Sequence, residues 1–73
     1  MERYKNLGGD SGVYSYEITE TSITVKFKGT SRTYTYSYGR AGEYHVENMK
    51  RLAIKGTGLN AYINYHTKYL YDR

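Results

Sequence analysis

Seventy-three residues are enough for one domain and too few for two. The chain has no cysteine, which excludes disulfides and cysteine-based zinc sites. A chain of this length buries only about 60% of its unfolded surface, so dense aromatic packing or self-association must supply the stability. The net charge of +4 is uneven: residues 1–20 carry two basic and four acidic groups, residues 21–42 four basic and no acidic groups, and residues 43–73 five basic and three acidic groups. The middle of the chain is therefore electropositive, which favours an anionic partner. No apolar run approaches the roughly 20 residues of a membrane-spanning helix, and Met1-Glu2-Arg3-Tyr4-Lys5 leads into no apolar signal core. The expectation is a soluble, cytoplasmic protein that does not meet the membrane.

Residues 1–10 show no period and end in Gly8-Gly9-Asp10, which predicts a flexible arm with Tyr4 or Leu7 available to dock on the body. Residues 11–73 form the single domain. Tyr14, Tyr16 and Ile18 alternate in a first strand over 13–18. Ile23, Val25 and Phe27 alternate in a second, with Thr24, Lys26 and Lys28 on the other face. Gly29-Thr30-Ser31 is a turn. Arg32–Tyr38 is the third strand, placing Tyr34, Tyr36 and Tyr38 on one face and Thr33 and Thr35 on the other. Short connections between these strands imply an antiparallel meander.

After Gly39-Arg40-Ala41-Gly42 the period changes. Val46, Met49, Leu52 and Ala53 fall at helical spacing, with Glu43 and Glu47 early and Lys50 and Arg51 late, as the helix dipole favours. Gly56 is the expected stop. Thr57 is the expected N-cap of a second helix whose apolar stripe is Leu59, Tyr62, Ile63, His66 and Tyr69 or Leu70. The fold class is α+β: a three-stranded antiparallel meander covered on one face by two C-terminal helices, in the order β-β-β-α-α.

Phe27-Lys28-Gly29, Tyr34-Thr35-Tyr36, and the G-x-x-x-N-x-x-I spacing of Gly56 to Ile63 occur in an order that resembles the KTSC domain, a module also found at the C-terminus of some lysyl-tRNA synthetases. The resemblance covers roughly residues 11–66. It departs from the family in having no proline after the Y-x-Y strand and Ile54 in place of a serine. It implies this α+β fold. The family has no established function, and the synthetase context suggests RNA.

Catalysis is not expected. The chain lacks a cysteine nucleophile and has neither H-E-x-x-H nor G-x-S-x-G. His66 is read as a packed residue on the second helix and His45 as a residue on the polar side of the first. They could meet as a metal pair only if the helices crossed at that level, and a site would need further ligands. No metal and no cofactor are expected.

Binding is the remaining class. Basic side chains neutralise phosphates and aromatic rings stack bases. Lys26, Lys28 and Arg32 are candidate backbone contacts, with Tyr38 at the strand end as the candidate stacking ring, while the other strand tyrosines are expected in the core. A second constellation, Arg51, Lys55, Thr57, Gly58 and Asn60, surrounds the start of the second helix, where backbone amides and cations can hold a phosphate. Asn60 belongs to it only if its side chain faces solvent. The leading expectation is a small non-enzymatic binding module for RNA or another phosphate-rich ligand. Two alternatives stand beside it: a homo-oligomer sequestering a nucleotide-like small molecule, and a protein-interaction module, since tyrosine and arginine are enriched at interface hot spots.

Overall fold

The structure, a computed structural model, describes residues 1–9 and 12–72; the boundary expected at residues 10–11 lies outside them. Four strands form one antiparallel sheet in chain order: β1 (Glu2–Arg3), β2 (Val13–Ile18), β3 (Ser22–Phe27) and β4 (Thr33–Ser37). Helix α1 (Glu43–Lys55) follows. The short helix α2 (Leu59–Tyr62) then runs directly into a π-helix (Ile63–Thr67). The α+β class and the antiparallel sheet are as expected, but the strand number is four rather than three. The extra strand comes from the supposed arm. Glu2 and Arg3 pair with Tyr16 and Ser15, and Tyr4 is buried with its hydroxyl accepting the Leu59 amide at 3.3 Å. Among the described residues no helix is long and apolar enough to cross a membrane.

The β3–β4 register obeys the two-residue period. Ile23 pairs with Tyr36, Val25 with Tyr34, Thr24 with Thr35, and Lys26 with Thr33. Ile23, Val25 and Tyr36 are buried against Val46, Met49, Ala53, Leu59 and Ile63, so both helices lie on one face of the sheet. The other face carries the hydroxyl and lysine residues, with Thr24 and Thr35 bonded through their hydroxyls at 2.8 Å.

Strand β2 departs from the simple period. Val13 pairs with Phe27 and Ser15 with Lys26, so two steps on β2 oppose one on β3, a β-bulge. Tyr16 and Val13 remain inward. Alternation predicted Tyr14 on the same face as Tyr16; the bulge instead turns it to the helix-free face, against Lys26.

Helix α1 matches its predicted span, and Gly56 ends it in the left-handed region (φ +88°) with its amide bonded to Leu52. The second helical segment differs. Its buried positions are Leu59, Ile63 and Thr67, four residues apart, because a π-helix closes i→i+5 bonds and has a longer turn than the α-helix. Thr67 therefore occupies the inward position expected of His66 and donates to the Met49 sulfur at 3.5 Å; His66 is exposed. Beyond it the chain returns along the outer edge of β4. The Asp72 amide donates to Thr35 O (2.6 Å), and the Ser37 hydroxyl donates to the Asp72 carboxylate (2.7 Å). An otherwise open sheet edge is covered in this way.

Candidate functional site

The helix-free face has a basic concavity at one end. Arg3 from β1, Lys26 from β3, and Lys5 and Lys28 just beyond those strands line a hollow of about 500 Å³ together with Tyr14, Asn6 and Gly29. No carboxylate is among the described residues that line it. Its geometry follows from strand pairing: Arg3 pairs with Ser15, and Ser15 with Lys26, so both cations stand on one face. The bulged Tyr14 lies between them, its ring centre 4.4 Å from the Arg3 guanidinium and 4.6 Å from the Lys26 ammonium. Each contact is worth about 0.5–1 kcal/mol at an exposed site, which helps two like charges share one patch. The Lys28 amide donates to Gly12 O (2.8 Å), holding the end of β3 in place.

Of the four nucleic-acid candidates from the sequence, Lys26 and Lys28 meet in this hollow. Arg32 and Tyr38 are elsewhere. Arg32 lies over the Tyr34 ring at 5.2 Å, and Tyr34 pairs with Val25 on the helix side. Tyr38 donates its hydroxyl to Glu47 on α1. Glu47 also pairs with Lys50 (2.8 Å), and Lys50 sits over the Tyr38 ring at 5.4 Å. The bond to the Glu47 carboxylate pushes the Tyr38 phenol up to about 12, and the hydrogen bonds from Lys50 and Tyr38 hold the Glu47 carboxyl below its ordinary range. Tyr38 thus belongs to a knot between sheet and helix, away from the basic hollow.

The phosphate cradle is not assembled. Arg51 turns back along α1 to donate to the Asn48 side chain, whereas Lys55 is an exposed residue at the end of the helix. Thr57 is not the N-cap; Gly58 takes that place in the left-handed conformation, with no side-chain cap. The Leu59 amide, which a bound anion would need, is taken by the Tyr4 hydroxyl. The Asn60 amide oxygen lies against Gly12, 3.6 Å from where a Cβ would stand, so it faces the sheet and not the solvent. The cause is again the N-terminal segment, whose Leu7 amide donates to Gly56 O (2.7 Å).

The histidines do approach one another. His45 and His66 rings are 5.7 Å apart at 26°, with the Tyr62 hydroxyl 2.7 Å from His45 Nδ1 and accepting from Asn48 at 3.3 Å. His45 is half-buried against the second helical segment rather than on a purely polar side. No group of three histidine, aspartate, glutamate or cysteine side chains able to hold a metal exists among the described residues.

Arg3, Lys5 and Tyr14 were not singled out from the sequence. Arg3-Tyr4-Lys5 does carry a cation–aromatic–cation alternation, the period of a strand with one basic face, but three residues are too few to separate it from chance. Compared with known protein families, curated proteins and solved structures, the chain has no significant match.

Proposed function

We propose that the chain is a small non-enzymatic module that binds RNA through its phosphate backbone on the helix-free sheet face. The observation that carries this reading is the clustering of Arg3, Lys5, Lys26 and Lys28 around Tyr14 with no carboxylate among the described lining residues. Fixed cations on a rigid sheet take up phosphates and release condensed counterions. The hydroxyls of Thr24, Thr33 and Thr35 continue the same face and can bond phosphate or 2′-hydroxyl oxygens. The likeness of Tyr34-Thr35-Tyr36 and of Gly56–Ile63 to the KTSC domain is a separate ground, and kinship with that family is part of the proposal.

Four phosphate contacts predict a slope of log affinity against log salt of about −3 for a single strand. The test is fluorescence anisotropy of a labelled 12-nucleotide RNA between 50 and 200 mM salt. Lys26→Glu with Lys28→Glu should lower affinity by more than about 100-fold at the lower salt and halve the slope. Salt-independent binding, or a double variant that binds like the parent, sinks the reading.

A further inference from the structure

A second concavity, of about 370 Å³, opens on the helix side of the sheet where the end of β3, the start of β4 and the chain after the π-helix converge. Its walls are aromatic. Phe27 meets Tyr34 at 5.7 Å and 68°, Tyr34 meets Tyr71 at 4.9 Å and 72°, and Tyr71 meets Tyr36 at 6.4 Å and 87°. All three contacts are edge-to-face, so these rings form angled walls rather than a closed stack. Tyr69 completes the lining and is 66% exposed.

We propose that this cleft receives one unstacked nucleobase of a single-stranded RNA whose phosphates lie in the basic hollow. The assignment rests on the reading above and adds to it the strandedness of the ligand.

Three features select a nucleobase over an aliphatic group. The volume lies within the range of small-molecule sites and the walls suit a flat ring. Thr30 and Asn64 in the lining supply hydrogen-bonding groups for the polar edges of a base. The charges are those that a phosphodiester needs on leaving the cleft. Lys68 lies over Tyr69 at 5.5 Å and Arg32 over Tyr34 at 5.2 Å, and no carboxylate is among the described residues that line the cleft. The two concavities are also neighbours. They meet at the β3–β4 turn, where Gly29 lines the hollow and Thr30 lines the cleft. A strand following the lysines of β3 around that turn brings its next base to the aromatic walls. A duplex cannot follow it, since its bases are stacked and paired inside the helix. Arg32, next to Lys26's strand partner Thr33 but turned to the helix side over Tyr34, finds its role at this second mouth.

The test compares a 12-nucleotide single-stranded RNA with a duplex of the same length at 100 mM salt, using the parent protein, Tyr69→Ala, and Lys26→Glu with Lys28→Glu. Tyr69 is exposed, so its replacement leaves the core intact. The parent should bind the single strand at least about tenfold more tightly than the duplex, and Tyr69→Ala should weaken single-strand binding by roughly 5- to 150-fold, the worth of one stacked base. The salt slope and duplex binding should stay unchanged. Equal affinity for single strand and duplex, or a single-strand affinity indifferent to Tyr69→Ala, overturns the cleft assignment while the basic hollow stands. Should the charge reversal leave RNA binding intact, the hollow reading fails, and a titration with adenosine 5′-monophosphate followed by amide NMR decides the cleft by itself. Shifts at Thr30, Asn64 and Tyr69 that vanish in Tyr69→Ala support it; shifts elsewhere, or none at millimolar nucleotide, overturn it.

Discussion

The hollow around Tyr14 and the cleft around Tyr34 lie on either side of one short turn, and both combine tyrosine with cations. They use the ring differently. Tyr14 has Arg3 and Lys26 over it at 4.4 and 4.6 Å, so its π-density serves to hold two positive charges together. Tyr34 has one cation, Arg32, and is otherwise packed by the edges and faces of Phe27 and Tyr71. Residue type is the same in both places; neighbours imposed by strand pairing decide whether the ring organises charge or builds an apolar wall.

The largest effect expected from breaking this distinction is on RNA affinity. Reversing Lys26 and Lys28 together should cost more than about 100-fold at 50 mM salt. Arg32→Glu, on the cleft side, should cost no more than about tenfold and alter the slope by less than about 1. Equal losses in the same anisotropy titration would erase the division between the two sites.

Stability separates the same kinds of ring. Tyr36 is 1% exposed and fills the centre of the core, so Tyr36→Ala should cost about 3–5 kcal/mol. Tyr14→Ala should cost about 1–2 kcal/mol, the worth of its two cation contacts. Urea denaturation measures both. Similar values would mean that the ring in the hollow is as structural as the ring in the core.

The hollow also depends on docking of the N-terminal segment, which Gly56 permits. Its φ of +88° favours glycine, and a Cβ there would stand 2.8 Å from the Lys5 Cβ. Gly56→Ala should destabilise by about 1–2 kcal/mol from backbone strain alone. It should also speed hydrogen exchange at the Leu7 amide and weaken RNA binding by displacing Arg3 and Lys5. Unchanged exchange at Leu7 would separate the segment from the hollow.

The last effect is a pH dependence of stability, to which Tyr36 contributes from the core. Burial, reinforced by Tyr34 and Tyr71, pushes the Tyr36 phenol up to about 12. Below about pH 10, folded and unfolded chains both hold this proton; above it, the unfolded chain releases its proton first. Stability is therefore complete below about pH 10 and declines as pH rises through about 12. Tyr36→Phe should flatten that decline in urea midpoints recorded from pH 9 to 12; an unaltered decline would assign it to other groups.

Much of this molecule could be read from local pattern. Alternation over Ile23–Phe27 and Tyr34–Tyr36 places the correct residues inward, because in a regular pair of strands the face of each side chain follows from its position alone. Helix α1 and its glycine stop are equally local. The basic character of Lys26 and Lys28 was legible for the same reason. What escaped depends on partners remote in sequence. Nothing in Val13–Ile18 announces a bulge, since the extra residue exists only relative to β3, and that bulge decides where Tyr14 points. The π-helix, which exchanges Thr67 for His66 at the core, is a change of pitch that a 3.6-residue period does not reveal.

The amino-acid sequence by itself determined the α+β class, the helix-covered face of the central strands, and a surplus of positive charge on the face opposite. Only the tertiary structure decided that Arg3 and Lys5 join Lys26 and Lys28, that Arg32 and Tyr38 stand apart from them, and that the Tyr4 hydroxyl closes the expected phosphate cradle. The physical reason is common to all three. A side chain's face is a local property of its own strand or helix, whereas a site is a set of faces brought together by long-range pairing, and here the pairing is set by a two-residue strand and one inserted residue.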